Sequence, residues 1–134
     1  MDDITQTTKI KKRILVVDDQ AAITNLWRVM LESSGDYIVR EENQSRRAVA
    51  MIRDFRPDLL LLDIDMPGLD GTEVARLVRD DEEIGDTAIL FLSALVSSDE
   101  TSAGKRVDGH RCLPKPTCFV EMVQTIEDTL ALAC

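Results

Sequence analysis

Short aliphatic runs alternate with longer amphipathic segments along most of this chain. Five runs predict strands: ILVV (14–17), YIVR (37–40), LLLL (59–62), AILFL (88–92) and HRCL (110–113). The central runs are almost continuously apolar, which is typical of strands that are buried on both faces of a parallel sheet. The pattern therefore predicts a sheet whose two faces are both covered.

The segments between these runs have the hydrophobic spacing of helices. Five helices are predicted, over 20–32, 45–55, 72–79, 97–107 and 118–132. The helix over 97–107 is the weakest because it contains serines and Gly104, and the inward faces of the first and third helices include Leu26 and Leu77. The alternation predicts an α/β fold: a single doubly wound, five-stranded parallel sheet with helices on both faces.

Length and charge limit the functions that this fold could serve. With 134 residues the chain fits one domain, and we expect a flexible N-terminal tail over 1–12 followed by the domain over 13–134. The net charge of -9 opposes binding to nucleic acid or to an anionic membrane, so neither is expected as a direct partner. Three cysteines without metal-ligand spacing, and no apolar stretch of membrane-spanning length, predict a reduced cytoplasmic protein.

Polar residues follow the predicted strands directly. In open α/β sheets, ligands bind outside the carboxyl ends of the strands, so these residues should share one edge of the sheet. They are Asp18 and Asp19 after ILVV, Asp63 after LLLL, Ser93 after AILFL and Lys115 shortly after HRCL. The sequence thus predicts three carboxylates, one hydroxyl and one ammonium group in a single site.

Three neighbouring carboxylates repel one another unless a cation is bound or their pKa values rise. A small set of carboxylate oxygens suits Mg2+, which keeps several waters and leaves room for a phosphate oxygen. An ionised Asp63 could then attack phosphorus, with Lys115 and Ser93 holding the phosphoryl oxygens. The product would be an acyl phosphate, which suits a timed signal because it is readily hydrolysed.

At these residues the chain resembles the receiver domain of two-component response regulators. The motifs that carry the resemblance are VVDD (16–19), LLDIDMPGLDG (61–71), FLSA (91–94) and LPKP (113–116), and the match runs from about residue 13 to 132. The resemblance implies a CheY-like, flavodoxin-like sheet with the strand order 2-1-3-4-5. It also implies a phosphoacceptor signalling switch that catalyses only its own phosphorylation and dephosphorylation.

The resemblance further implies a role for each site residue. Asp63 would be the phosphoacceptor, and Ser93 and Lys115 would contact the phosphoryl group. Mg2+ would be bound by Asp19 directly, by Asp18 through water, by Asp63 and by the backbone carbonyl of Asp65. Pro116 would be the cis proline that aims Lys115 into the site, while Asp65 and Leu95 would tune the lifetime of the phosphoryl group.

The implied partners are proteins. A histidine kinase or a histidine phosphotransfer protein would supply the phosphoryl group, as in a two-component system or phosphorelay. The downstream target is unknown. We expect the output to pass through another protein, because no effector domain follows Leu132.

One departure from the family leaves alternatives open. The family commonly has an aromatic residue three positions before the lysine, where this chain has Cys112. The signal could leave by another route, or the chain could be a degenerate receiver that acts as a docking module without phosphorylation. A haloacid-dehalogenase-type phosphatase is a minor alternative, against which the acidic pair preceding Asp63 argues.

Overall fold

The computed structural model describes residues 10–94, 106–115 and 117–133. The strands are β1 (Lys12–Val17), β2 (Tyr37–Glu42), β3 (Leu59–Asp63), β4 (Ala88–Ser93), β5 (Arg106–Val107) and β6 (His110–Pro114). The helices are α1 (Ala21–Glu32), α2 (Ala48–Phe55), α3 (Gly71–Asp80) and α4 (Phe119–Ala133), and a 3-10 turn (Ser45–Arg47) precedes α2. In the described ranges, no helix has the length and apolar character needed to cross a membrane.

The strands form one sheet in the order β2-β1-β3-β4-β6-β5. Five of them are parallel and follow the predicted order, so the predicted doubly wound α/β fold is confirmed. The register aligns Asp63 with Leu92 and Ser93 with Pro114, so the strands that precede the site residues end level with one another. This alignment brings the polar residues at and just after the strand ends to one edge.

Helices cover both faces of the sheet. The first core packs α2 and α3 against one face, with Ile52, Val74 and Phe91 among its fully buried side chains. The second core packs α1 and α4 against the other face and includes Leu31 and Met122. The continuous apolar pattern of the central strands follows from this arrangement, because every side chain of LLLL (59–62) lies in one core or the other.

The structure corrects several details of the predicted elements. The helix predicted over 45–55 begins as a 3-10 turn and becomes α-helical at Ala48. Of the helix predicted over 97–107, residues 97–105 lie outside the described ranges, and the prediction is wrong for residues 106–107. These two residues form strand β5, a sixth strand that pairs antiparallel with β6. This hairpin has a positive φ at both Asp108 and Gly109, a tight-turn conformation that the hydrophobic spacing does not reveal.

Two leucines predicted to face the core do not. Leu26 is 50% exposed and Leu77 is 48% exposed, because both lie at the edge of their helix's apolar face. In α1 the inward position is occupied by Thr24, which is fully buried. Hydrophobic spacing alone predicts that Leu26 faces the core. In the structure Thr24 does so instead, because its buried hydroxyl donates a hydrogen bond to Glu41, and Leu26 lies at the surface.

Candidate functional site

Two buried carboxylates and one ammonium group meet at the carboxyl edge of the sheet. The Lys115 Nζ lies 2.8 Å from Asp18 Oδ2 and 3.3 Å from Asp63 Oδ2. Asp18 and Asp63 are each 1% exposed, so both charges are removed from bulk water. The ammonium group is the cation that compensates them within the described residues.

Asp18 is held at several of its polar atoms. Its Oδ1 accepts a hydrogen bond from the Gln20 N–H at 2.9 Å, and its Oδ2 accepts one from Lys115. Its own N–H donates to the Glu42 carbonyl at 3.2 Å. These bonds extend the order of strand β1 one residue beyond its last ladder position.

Asp19 differs from Asp18 because it is exposed. One carboxylate oxygen from each of Asp18, Asp19 and Asp63 nevertheless lies within 4.8 Å of the others. The predicted convergence of the three carboxylates is therefore present, with one member open to solvent and two buried.

The surroundings of Asp63 raise its pKa to about 6. Burial is the largest cause, and the negative charge of Asp18 adds to it. Lys115 and the N–H of Asp65 oppose this rise because both stabilise the ionised form. At neutral pH the carboxylate is therefore mostly ionised, but it is more basic than an exposed aspartate.

Lys115 reaches these carboxylates from the end of strand β6. Its backbone N–H donates to the Ser93 carbonyl at 3.0 Å, which ties the residue to the end of β4. Burial by itself lowers the pKa of Lys115, but the hydrogen bonds and charges of Asp18 and Asp63 outweigh it, so the pKa is raised. The side chain therefore stays protonated throughout the neutral range.

Ser93 and Asp65 lie beside this cluster. Ser93 is buried, and its hydroxyl oxygen is 3.5 Å from Asp65 Oδ2. The N–H of Asp65 donates to Asp63 Oδ1 at 3.3 Å. Both residues are thus near the predicted phosphoacceptor, and their roles stay predictions, as do those of Pro116 and Leu95, which lie outside the described residues.

A close approach of backbones fixes the loop after Asp63. A Cβ atom on Gly71 would lie 2.7 Å from the Ile64 Cα and closer still to the Asp63 carbonyl oxygen. The Gly71 N–H donates to the Ile64 carbonyl at 2.8 Å, so the start of α3 rests directly on the end of β3. Glycine is required here for space, a role that its position after Asp70 does not by itself reveal.

Ser45 ties the same loop to the turn before α2. Its hydroxyl donates to the Pro67 carbonyl at 3.0 Å and accepts from the Leu69 N–H at 3.1 Å. Reasoning from the sequence placed Ser45 at a helix start and did not connect it with the site. No local signal could have made that connection, because the two segments are far apart in the sequence.

The donor set fits a hard divalent cation. Carboxylates supply the nearby ligand atoms, two of them are buried, and the exposed Asp19 leaves a side of the site open for water. Mg2+ prefers a few carboxylates together with several waters, so the chemistry of these residues suits it. After burial, repulsion by Asp18 is the next cause of the raised pKa of Asp63. A bound cation would relieve this repulsion between the two carboxylates.

An apolar cavity of about 580 Å³ adjoins Lys115. Its walls come from α1 and from the start of α4. They include Ile23, Leu26, Trp27, Met30, Cys118 and Phe119. The half-exposed Leu26 therefore contributes to an apolar surface that borders the carboxylate cluster.

Comparisons with known proteins agree with this geometry. The family model described as "Response regulator receiver domain" matches residues 14–127. The chain is 36% identical over 121 residues to the phosphate regulon transcriptional regulatory protein PhoB of Pseudomonas aeruginosa, covering 90% of this chain and 52% of PhoB. It is 27% identical to the polar-differentiation response regulator DivK of Brucella anthropi, covering 89% of this chain and 96% of DivK.

A solved structure gives the same result for the fold. The chemotaxis protein CheY4 of Vibrio cholerae superimposes with a TM-score of 0.76 at 28% identity, over 90% of this chain and 99% of that one. The chain spans about half the length of relatives such as PhoB. The activities of such longer proteins as a whole are therefore properties of those proteins.

Proposed function

This chain belongs to the response regulator receiver domain family, and we propose that it is a switch that accepts a phosphoryl group on Asp63. The donor would be the phosphohistidine of a histidine kinase or of a histidine phosphotransfer protein, and Mg2+ would be the cofactor. The observation that carries the proposal is the buried Asp63 carboxylate, in contact with Lys115 and within ligand distance of Asp18 and Asp19.

The proposed transfer is a displacement at phosphorus. An Asp63 carboxylate oxygen forms a bond to phosphorus while the phosphorus–nitrogen bond breaks, and the imidazole leaves with the electron pair. Lys115 lies where its ammonium group can stabilise negative charge on the transferred group. Bound Mg2+ would supply further charge neutralisation and a ligand position for a phosphoryl oxygen.

Release of the phosphoryl group completes the cycle. Water attacks phosphorus, the bond to the Asp63 oxygen breaks, and the free carboxylate and inorganic phosphate result. Because the same residues act in both steps, we propose that the chain catalyses its own modification and demodification, as a signalling switch and not as a metabolic enzyme. We propose that Asp65 affects the rate of this hydrolysis, and its contacts with Asp63 and Ser93 support this role.

The proposed donor is a protein, because an apolar surface adjoins the site. The donor histidine must reach Asp63, so the donor must rest on the surface next to Lys115. The cavity between α1 and α4 offers such a surface, and apolar contacts of this kind contribute strongly to binding. We further propose a cytoplasmic location and an output through a downstream protein, without direct binding to nucleic acid or membrane.

The test is intact mass after incubation with Mg2+ and acetyl phosphate. We expect the mass to increase by one phosphoryl group in the wild type and to stay unchanged in Asp63→Asn. A chelator should abolish the gain. The same measurement with a phosphorylated histidine phosphotransfer protein tests the protein donor separately.

Cys112 is the residue that supports the alternative function, a docking module that acts without phosphorylation. The residue is buried in the core formed with α2 and α3, where the family commonly has an aromatic residue that changes position. If the wild type stays unmodified with both donors, phosphorylation is not its function and the docking module replaces the switch. Modification of the wild type that needs both Mg2+ and Asp63 would exclude the module.

A further inference from the structure

A chain of polar contacts runs behind the carboxylate cluster, from the backbone of Asp18 to the surface of α1. Asn43 Nδ2 lies 2.8 Å from the Asp18 carbonyl oxygen and 2.9 Å from Thr24 Oγ1. The Thr24 hydroxyl in turn donates to Glu41 Oε1 at 2.7 Å, and Glu41 Oε2 lies 2.7 Å from Arg28 Nε. The nucleophile and Lys115 take no part in these contacts.

The burial of Thr24 makes these contacts costly to lose. Thr24 is fully buried on the inward face of α1, where an amphipathic helix usually has an apolar residue. A buried hydroxyl that loses its partners carries a desolvation cost, and so does the group that it leaves unpaired. The Thr24 hydroxyl both accepts from Asn43 and donates to Glu41, so it is the central member of the chain of contacts.

Asn43 acts on the peptide that joins the two acidic residues at the end of β1. The parallel ladder between β1 and β2 ends at Val17 and Glu42, and the Asp18 N–H still finds the Glu42 carbonyl. Beyond that point the side chain of Asn43 takes the place of a ladder partner for the Asp18 carbonyl. The orientation of this peptide fixes the backbone of Asp19 and thereby the position from which its exposed side chain extends.

We propose that Asn43 and Thr24 are positioning residues that hold the Asp18–Asp19 peptide and thereby set the affinity of the site for Mg2+. The inference rests on the proposed function, because it assumes that these carboxylates bind the metal. Residues that orient metal ligands without touching the metal typically contribute about 10- to 100-fold to metal affinity. Glu41 and Arg28 extend the same chain of contacts beyond the Thr24 hydroxyl, whose shortest contact to an acceptor is the one to Glu41.

The test measures the Mg2+ dissociation constant by titration calorimetry on the full chain. We expect Asn43→Ala and Thr24→Val to weaken Mg2+ binding about tenfold. Thr24→Ser keeps the hydroxyl and should bind within about twofold of the wild type, since the hydrogen-bonding group is unchanged. Ile52→Val is the matched control, because it removes one buried methylene from the other core and lowers stability without touching these contacts.

The phosphorylation rate with acetyl phosphate gives a second readout. In Asn43→Ala the rate should fall at low Mg2+ and return close to the wild-type rate when Mg2+ is saturating, because the defect lies in metal affinity. Glu41→Gln is a milder variant of the same chain of contacts, and it remains informative if Thr24→Val does not fold.

Each outcome decides the proposal. Mg2+ affinities of Asn43→Ala and Thr24→Val equal to that of Ile52→Val would overturn it, even if all three variants are less stable than the wild type. A wild type that is phosphorylated normally while these affinities are unchanged would overturn the inference alone. A wild type that binds no Mg2+ would overturn the proposed function and this inference with it.

Discussion

Asp63 is a buried carboxylate whose charge is stabilised by Lys115 and opposed by Asp18. Its pKa of about 6 lies above that of an unfolded aspartate, so the folded state binds the proton more tightly. Asp63 thus favours the folded state most at low pH, where it is protonated in both states. That contribution is lost as the pH rises from about 4 through 6.

We therefore expect Asp63→Asn to be more stable than the wild type at neutral pH without added metal. The amide carries no charge, so it escapes both the burial cost and the repulsion by Asp18. The gain should be on the order of 1–3 kcal/mol in the free energy of unfolding, measured by urea denaturation at about pH 7.5. Below about pH 4 the difference should vanish, because the wild-type carboxyl is then neutral in both states.

Asp58→Asn is a control for this pH dependence. Asp58 is exposed at the opposite end of β3, where its carboxylate accepts a hydrogen bond from the Arg13 N–H. Its replacement should not reproduce the gain in stability of Asp63→Asn, since its carboxylate is exposed to water and has no burial cost to relieve. A difference between Asp63→Asn and the wild type that stays constant with pH would contradict the assignment of the raised pKa to Asp63.

The sequence predicts single residues well where they stand at strand ends. Asp18, Asp19, Asp63, Ser93 and Lys115 follow aliphatic runs, and the parallel topology brings them to one edge. Thr24, Asn43 and Ser45 have no such marker. Their importance comes from contacts between distant segments, which neither spacing nor composition encodes.

The start of helix α3 depends on two residues with separable tasks, the N-cap Asp70 and the first helical residue Gly71. The Asp70 carboxylate accepts a hydrogen bond from the Glu73 N–H, and the Asp70 N–H donates one to the Glu73 carboxylate, which forms a capping box. Hydrogen bonds from the Thr72 hydroxyl and the Glu73 N–H lower the pKa of Asp70, so the cap stays ionised. Gly71 instead allows the helix to approach the carbonyl of Asp63.

We expect Gly71→Ala to impair phosphorylation and Asp70→Ala to spare it. The added methyl group would collide with backbone at the end of β3 and displace Asp63, whereas loss of the cap costs about 1 kcal/mol of helix stability. The rate of phosphoryl gain from acetyl phosphate, measured by mass at a temperature where both variants are folded, separates the two. Equal rates in the two variants would show that the close approach does not position Asp63.

The apolar edge of α1 is partly exposed next to the site. Leu26 borders the cavity beside Lys115, while Leu77 on α3 is equally exposed on the other face of the sheet. We expect Leu26→Gln to slow phosphoryl transfer from a histidine phosphotransfer protein about tenfold at limiting donor, as expected for loss of an apolar contact at an interface. Transfer from acetyl phosphate should be unchanged, because the small donor needs no protein surface.

Leu77→Gln is the matched control for that prediction. It makes the same chemical change at a position of similar exposure, away from the cavity. A comparable loss of transfer in Leu77→Gln, or an unchanged rate in Leu26→Gln, would place the donor on another surface. A loss with acetyl phosphate as well would indicate damage to the site itself.

At the scale of the whole molecule, the alternation of strands and helices was enough to predict an α/β fold with both faces covered. The order of the five parallel strands came from the resemblance to the receiver family, because periodicity does not specify which strands are neighbours. Strand β5 was missed since it is two residues long and is formed by its turn, with positive φ angles at Asp108 and Gly109. Short elements of this kind depend on backbone conformation that hydrophobic patterning does not report.

The excess of acidic residues makes the stability of the fold sensitive to bound divalent cations. The chain carries a net charge of -9, and three of its carboxylates crowd one edge of the sheet, so a bound divalent cation relieves both local and overall repulsion. Mg2+ at ten times its dissociation constant should raise the free energy of unfolding by about 1.4 kcal/mol, as measured by urea denaturation. Asp19→Asn should reduce this increment, because Asp19 is a proposed ligand, and its exposed position tolerates substitution. Stabilisation of equal size from NaCl at matched ionic strength would mean that general screening, and not a metal site, accounts for the effect.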